Sequence, residues 1–185
     1  MVISTKIESD YNSAPSLGSS TLPHRVAIAL GGNLTSVVGN PEATLVAAID
    51  VIRSMADTVL EAKSSLYQTT PVGPPQPDYF NACVVISTMS SATHLMRKLL
   101  DIEQQFNRVR RERWGPRTLD LDILLFDDLV LDDPFVQVPH PRMAERAFVL
   151  IPLAEIAPQW VHPVLGRTMQ MLSQQVSPDG VRLVR

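Results

Sequence analysis

The residues whose types and spacing best suit chemistry are Asp120 and Asp122, with the arginines just ahead of them. They lie in Arg113-Trp114-Gly115-Pro116-Arg117-Thr118-Leu119-Asp120-Leu121-Asp122-Ile123-Leu124-Leu125-Phe126. Leu119, Leu121, Ile123 and Leu125 recur at every second position, the period of a strand. Asp120 and Asp122 therefore leave one face, their backbone positions roughly 7 Å apart. Two neighbouring carboxylates repel each other and resist desolvation. A hard divalent cation removes both costs, and Mg²⁺ typically takes one or two carboxylates together with phosphate oxygens. Upstream, Arg108, Arg110, Arg111, Arg113 and Arg117 place five guanidiniums within ten residues. Arg is the side chain suited to bidentate phosphate recognition. Alone, the Asp pair reads equally well as a solvated strand face, and the Arg-rich loop as solvated surface. Joined through the stiff Trp114-Gly115-Pro116 turn, they point to a Mg²⁺–nucleotide site.

Several elements must position these groups. Arg25–Leu30 reads as a first strand, with Val26, Ile28 and Leu30 on one face and small alanines on the other, ending in Gly31-Gly32-Asn33. That turn alone is weak evidence for a ligand contact. Asn40 and Pro41 mark a helix start, and Leu45, Ala48, Ile49, Ile52, Met55 and Ala56 form its apolar stripe. A strand is expected from about Thr58 to Tyr67, opening into a loop with four prolines between residues 71 and 77. Such a loop is stiff and can present backbone groups to a planar heterocycle at low entropic cost, or serve only as a connector. Tyr79-Phe80-Asn81 opens a strand reaching about Thr88, and an amide beside aromatics can read the edge of a ring while stacking on its face. Ser90 or Ser91 caps a helix carrying Leu95, Leu99, Ile102 and Phe106, which feeds the arginines. Leu129–Leu131 reads as a short strand between solvated aspartates. His140, framed by Pro139 and Pro141, is the best-held of the four histidines. The segment from Glu145 to Leu153 carries Arg146 as a further phosphate contact. A helix near Met169–Gln175 and a strand at Val181–Val184 complete the pattern. The order strand–helix–strand–strand–helix–strand predicts an α+β fold, a ferredoxin-like split βαβ sandwich with helices packed on an antiparallel sheet.

With 185 residues, 45% hydrophobic and 19% charged, the chain is long enough for a real core and has the balance of a globular protein. Residues 1–23 read as a disordered or loosely attached tail without a secretory core, and residues 24–185 as one domain. The net charge of −3 argues against general nucleic-acid affinity. No apolar run is long enough to cross a bilayer, so the expectation is a cytoplasmic monomer with small-molecule partners, no nucleic acid and no membrane. Cys83, the single cysteine, lies in an apolar run and reads as a buried hydrophobe. A Walker A sequence is absent.

The stretch Arg113–Ile123 resembles the signature of the 6-hydroxymethyl-7,8-dihydropterin pyrophosphokinase family. Ala29–Leu34, Leu66–Gly73, Asp78–Ala82, Val138–Arg142 and Arg146–Leu150 resemble further family segments, in order, over roughly residues 25 to 160. The resemblance implies attack of the pterin hydroxymethyl oxygen on the β-phosphorus of ATP, releasing AMP, in tetrahydrofolate biosynthesis. It implies two Mg²⁺ ions at Asp120 and Asp122, with ATP as co-substrate. Arg108 and Arg110 match arginines of a mobile catalytic loop, Arg117, His140 and Arg146 other phosphate contacts, and Ile123 a nucleotide-site position. Thr69, Val72 and Asn81 match hydrogen-bonding positions for the pterin, Tyr79 and Phe148 its aromatic lining, and Trp114 a residue covering the site. Asn107 stands where glycine is common, Gly32 where serine is common, and Phe135 at a position that can be basic. Two other readings are a non-catalytic pterin- and nucleotide-binding relative and a nucleic-acid-binding ferredoxin-like module. The second lacks the paired aromatic motif such modules use.

Overall fold

The computed structural model describes residues 23–71, 75–109 and 115–185. The expected contributions of Val72, Arg110 and Trp114, and the N-terminal tail up to residue 22, lie outside these residues.

The strand β1, His24–Gly32, sits at the centre of the sheet. Its alternation sends Val26, Ile28 and Leu30 into one core and Ala27 into another on the opposite face. It pairs antiparallel along its length with β4, Tyr79–Thr88, from His24↔Thr88 to Gly32↔Phe80. Its other edge takes β5, Asp120–Phe126, also antiparallel. On the far side of β4 run β2, Thr58–Lys63, and β3, Tyr67–Thr69. The helices α1, Pro41–Arg53, and α2, Ala92–Gln105, cover one face. The spatial order β5-β1-β4-β2 interleaves the units β1-α1-β2 and β4-α2-β5, as expected for the split βαβ arrangement. The opposite face is covered by α3, Ala147–Ile156, and α4, Met169–Ser173. Two short strands, β6 at Leu131–Asp132 and β7 at Gln137–Val138, pair separately, and β8, Val181–Leu183, pairs with β3.

The caps follow the sequence. Asn40 accepts the Ala43 N–H at 2.9 Å with Pro41 next to it, and Ser91, not Ser90, caps α2 through the His94 N–H. Cys83 is fully buried, and burial pushes its thiol well above its usual range.

Five local expectations need correction. The strand expected over Thr58–Tyr67 is two strands, because the 64–66 stretch departs from the ladder. There the Cys83 N–H donates to the Ser64 hydroxyl at 2.9 Å, and Glu155 accepts from the Ser65 N–H. Leu125 does not share a face with Leu121 and Ile123. A bulge leaves Leu124 unpaired between Ile28↔Ile123 and Ala27↔Leu125, so Leu124 and Leu125 both enter the α3/α4 core. The short strand expected at Leu129–Leu131 lies at Leu131–Asp132, where Gln137–Val138 supplies a partner. The helix expected near Met169–Gln175 stops at Ser173, and the strand expected at Val181–Val184 stops at Leu183.

Candidate active site

The site forms where strand ends meet. Antiparallel pairing brings the end of β1 and of β3 beside the beginnings of β4 and β5, so Gly31, Thr69, Asn81, Asp120 and Asp122 line one cleft of about 1080 Å³.

Asp120 is held by two arginines. Arg108 and Arg117 each donate to it, one to each carboxylate oxygen. Arg108 reaches this place because α2 ends in a Schellman turn. Asn107 adopts φ +58°, its N–H donates to the Gln104 carbonyl, and the Arg108 N–H donates to the Glu103 carbonyl. The left-handed conformation is why glycine suits position 107, and Asn is the next best residue there. Glu103, 3% exposed, then accepts from Arg108 Nη1 at 2.6 Å and from the Leu121 N–H at 2.8 Å. The Arg108 guanidinium also donates to the Leu119 carbonyl at 3.0 Å.

Asp122 has a different environment. Burial and the neighbouring Asp120 push its carboxyl up to about 6, against the pull of Arg146, Arg108 and Arg117. His140 Nε2 lies 4.0 Å away, beyond hydrogen-bond range. Burial, with Arg146 and Arg142 nearby, pulls the imidazole down to about 4, so it is neutral at pH 7. Its Nδ1 accepts the Arg142 N–H at 3.2 Å, which leaves the proton on the Nε2 facing Asp122. The β5 bulge sets this placement, since the His140 N–H donates to the Leu124 carbonyl at 2.9 Å.

Arg117 is fixed from β1. The Asn33 and Leu34 N–H groups donate to its carbonyl at 2.9 and 3.1 Å, and its own N–H donates to Asn33 Oδ1 at 2.8 Å. The Asn33 amide also donates to Gln76 Oε1 and the Pro77 carbonyl, tying the proline-rich loop to the Asp strand. A Cβ on Gly32 would lie 2.3 Å from the Thr118 carbonyl oxygen, so only glycine permits this approach. Arg117 Nε is buried without a hydrogen-bond partner among the described residues. Burial opposes the charge on Arg117, but Asp120 and Tyr79 outweigh it and raise its pKa.

The cleft also has aromatic and amide lining. Arg117 lies over the Tyr79 ring and Arg146 over the Phe148 ring, at 5.6 and 5.5 Å. The buried Asn81 amide donates to Thr69 Oγ1 at 2.7 Å. A second cavity of about 190 Å³ shares Asp122 and His140 with the cleft, and adds Ile123, Met96, Phe135 and Pro141. Arg97 lies over the Phe135 ring at 5.8 Å.

The residues fit a divalent cation. Asp120 and Asp122 face the same cleft, and burial, then Asp120, raises the pKa of Asp122, costs that a bound cation would offset. Among the described residues no group of three or more His, Cys, Asp or Glu forms a closed metal cage.

The family model described as 7,8-dihydro-6-hydroxymethylpterin-pyrophosphokinase matches residues 27–158. The chain belongs to this family. A Synechocystis relative named 2-amino-4-hydroxy-6-hydroxymethyldihydropteridine pyrophosphokinase is 46% identical over 85% of this chain and 79% of its own length. The similarly named protein of Pseudomonas aeruginosa is 46% identical over 72% of this chain and 81% of its own, and that of Methylorubrum extorquens 36% over 86% and 98%. A Plasmodium falciparum HPPK-DHPS crystal structure superposes with a TM-score of 0.66 at 14% identity, over 86% of this chain and 44% of that one, a likeness of fold.

Of the residues expected in a pyrophosphokinase site, Thr69, Tyr79, Asn81, Arg108, Arg117, Asp120, Asp122, His140, Arg146 and Phe148 line the large cleft, and Ile123 the adjoining cavity. Glu103 escaped the sequence reading. Its signal was an acid four residues after Leu99 and three before Phe106, on the apolar stripe of α2. The turn at Ser177–Gly180, which also lines the cleft, carried no such signal.

Proposed function

We propose that this pyrophosphokinase transfers the pyrophosphoryl group of ATP to the hydroxymethyl group of 6-hydroxymethyl-7,8-dihydropterin with Mg²⁺, and releases AMP. The observation that carries the reading is one cleft lined both by the charged groups Asp120, Asp122, Arg108, Arg117 and Arg146 and by Tyr79, Phe148, Thr69 and Asn81. Asp120 and Asp122 would hold Mg²⁺, two ions by the family resemblance. The metal supplies charge neutralisation and polarisation of the phosphates. Arg108, Arg117 and Arg146 bind phosphate oxygens, and neutral His140 donates from Nε2. Tyr79 and Phe148 stack the pterin while Thr69 and Asn81 read its polar edge. The smaller cavity takes the nucleobase against Ile123 and Phe135. Val72, Arg110 and Trp114 keep their assigned roles by resemblance alone. Transfers of this type depend on positioning and electrostatic stabilisation, and exclusion of water protects against hydrolysis.

The test is AMP release from ATP with Mg²⁺ and 6-hydroxymethyl-7,8-dihydropterin, for the wild type and for Asp120→Ala and Asp122→Ala. Pterin-dependent AMP that falls by roughly 10³-fold or more in both variants is expected, as for loss of a principal electrostatic group. Tight binding of both ligands without AMP would instead make the chain a binding protein. Activity retained in both variants would remove the metal assignment.

A further inference from the structure

The family-matched span ends at residue 158, yet part of the cleft wall comes from beyond it: Ser177, Asp179, Gly180 and Val181. These residues belong to a turn that organises itself. The Ser177 hydroxyl and the Asp179 carboxylate lie 2.7 Å apart, the Asp179 N–H donates back to Ser177 Oγ, and the Val181 N–H donates to the Pro178 carbonyl. From the turn, β8 runs antiparallel to β3, with Tyr67↔Leu183, Gln68↔Arg182 and Thr69↔Val181 in register. Two further bonds bracket the pairing: the Thr70 N–H donates to the Gly180 carbonyl at 3.0 Å, and the Val184 N–H to the Leu66 carbonyl at 2.9 Å. Gly180 has φ +75°, and a Cβ there would lie 3.2 Å from Thr70 Cβ and 3.3 Å from its hydroxyl.

None of residues 177–184 belongs to the buried core on either face of the sheet. The segment's contacts converge instead on β3, a strand of three residues whose last member, Thr69, holds the Asn81 amide. On its own β3 would be a short edge strand, and pairing on both sides gives it a fixed position.

We propose that segment 177–184 is a substrate-positioning element. Held by β8, the turn clamps Thr69–Thr70 and walls the cleft beside Thr69 and Asn81, and so sets affinity for the pterin and not for the nucleotide. The proposal rests on the pyrophosphokinase reading of the cleft, which assigns Thr69 and Asn81 to the pterin.

The experiment measures pterin and Mg²⁺–ATP affinity by fluorescence titration, with steady-state kinetics, in full-length Gly180→Val, Arg182→Pro and Arg182→Thr. Gly180→Val drives a β-branched residue against Thr70 in a conformation it rarely adopts. Arg182→Pro removes a strand N–H, whereas Arg182→Thr keeps it and suits a strand. The first two should raise the Kd and KM for the pterin about tenfold while kcat and the nucleotide Kd stay within about twofold. Arg182→Thr should bind like the wild type. Unchanged pterin affinity in both disruptive variants would overturn the proposal. So would a joint loss of both affinities with a fall in Tm, or an equal loss in Arg182→Thr, which would assign the effect to the charge. A wild-type chain that binds no pterin would overturn the functional reading itself, and the inference with it.

Discussion

Glu103 joins a helix, a loop arginine and a strand through one buried carboxylate. Its Oε1 takes both the Arg108 guanidinium and the Leu121 N–H, so the residue presenting Arg108 also fixes the strand presenting Asp120 and Asp122. Without Glu103, Arg108 keeps Asp120, but the buried Leu121 N–H loses this acceptor, and leaving such a group unsatisfied typically costs about 1–3 kcal/mol. Glu103→Ala should therefore lose about 1–3 kcal/mol of stability in urea unfolding. It should also lower kcat, because Arg108 loses the anchor opposite Asp120. Glu103→Gln keeps an oxygen acceptor for the Leu121 N–H and should recover part of the stability. If Glu103→Ala unfolds at the wild-type midpoint, the carboxylate is not holding the strand.

At the scale of elements, the end of α2 makes a sharper claim. Asn107 holds a left-handed conformation that costs a residue with an ordinary Cβ roughly 1–2 kcal/mol. Asn107→Val should lower stability by about that amount and displace Arg108, while Asn107→Gly should change it by no more than about 0.5 kcal/mol. Denaturant midpoints and the KM for ATP measure the two effects, and equal stability of both variants would contradict the turn described here. The elements themselves were readable in proportion to their periodicity. α1 and α2 each carry one apolar stripe and a capping residue, and both start where the sequence puts them, although α1 ends at Arg53, so Met55 and Ala56 of its expected stripe lie beyond it and Ala56 is exposed. α3 was not assigned as a helix. Pro152 stands inside it, and Ala147–Ile156 is apolar on nearly every side, so no stripe emerges. The β5 bulge was equally hidden, since Ile123-Leu124-Leu125 reads as unbroken apolar strand whichever face each residue takes. That bulge nevertheless sets His140 beside Asp122 through the Leu124 carbonyl. The Asp pair and the arginines were legible because charge is costly on an apolar strand. Glu103 was not, because a single acid in a helix is ordinary until its burial is seen.

Across the whole molecule, antiparallel pairing gathers the chemistry at one end of the sheet and leaves both packed faces to stability. β1 brings Gly31 and leads into Asn33, β3 brings Thr69, β4 brings Tyr79 and Asn81, and β5 brings the aspartates. These groups are far apart in sequence, so the unfolded chain has no comparable site, and a ligand of the cleft stabilises only the native state. Such a ligand at a hundred times its Kd adds about 2.7 kcal/mol, or roughly 5–10 °C in Tm for a domain of this size. ATP with Mg²⁺ should therefore raise Tm by that amount, and excess EDTA should abolish most of the gain. In Asp122→Ala the gain should be small with or without EDTA. The metal matters here because burial and Asp120 already disfavour the charge on Asp122, and ATP brings more negative charge to the same place. Without a cation, only the arginines offset that charge, and Arg108 and Arg117 are engaged by Asp120. A full ATP-dependent rise in Tm that survives EDTA would mean that the arginines suffice to bind the nucleotide, and the two aspartates would need another role.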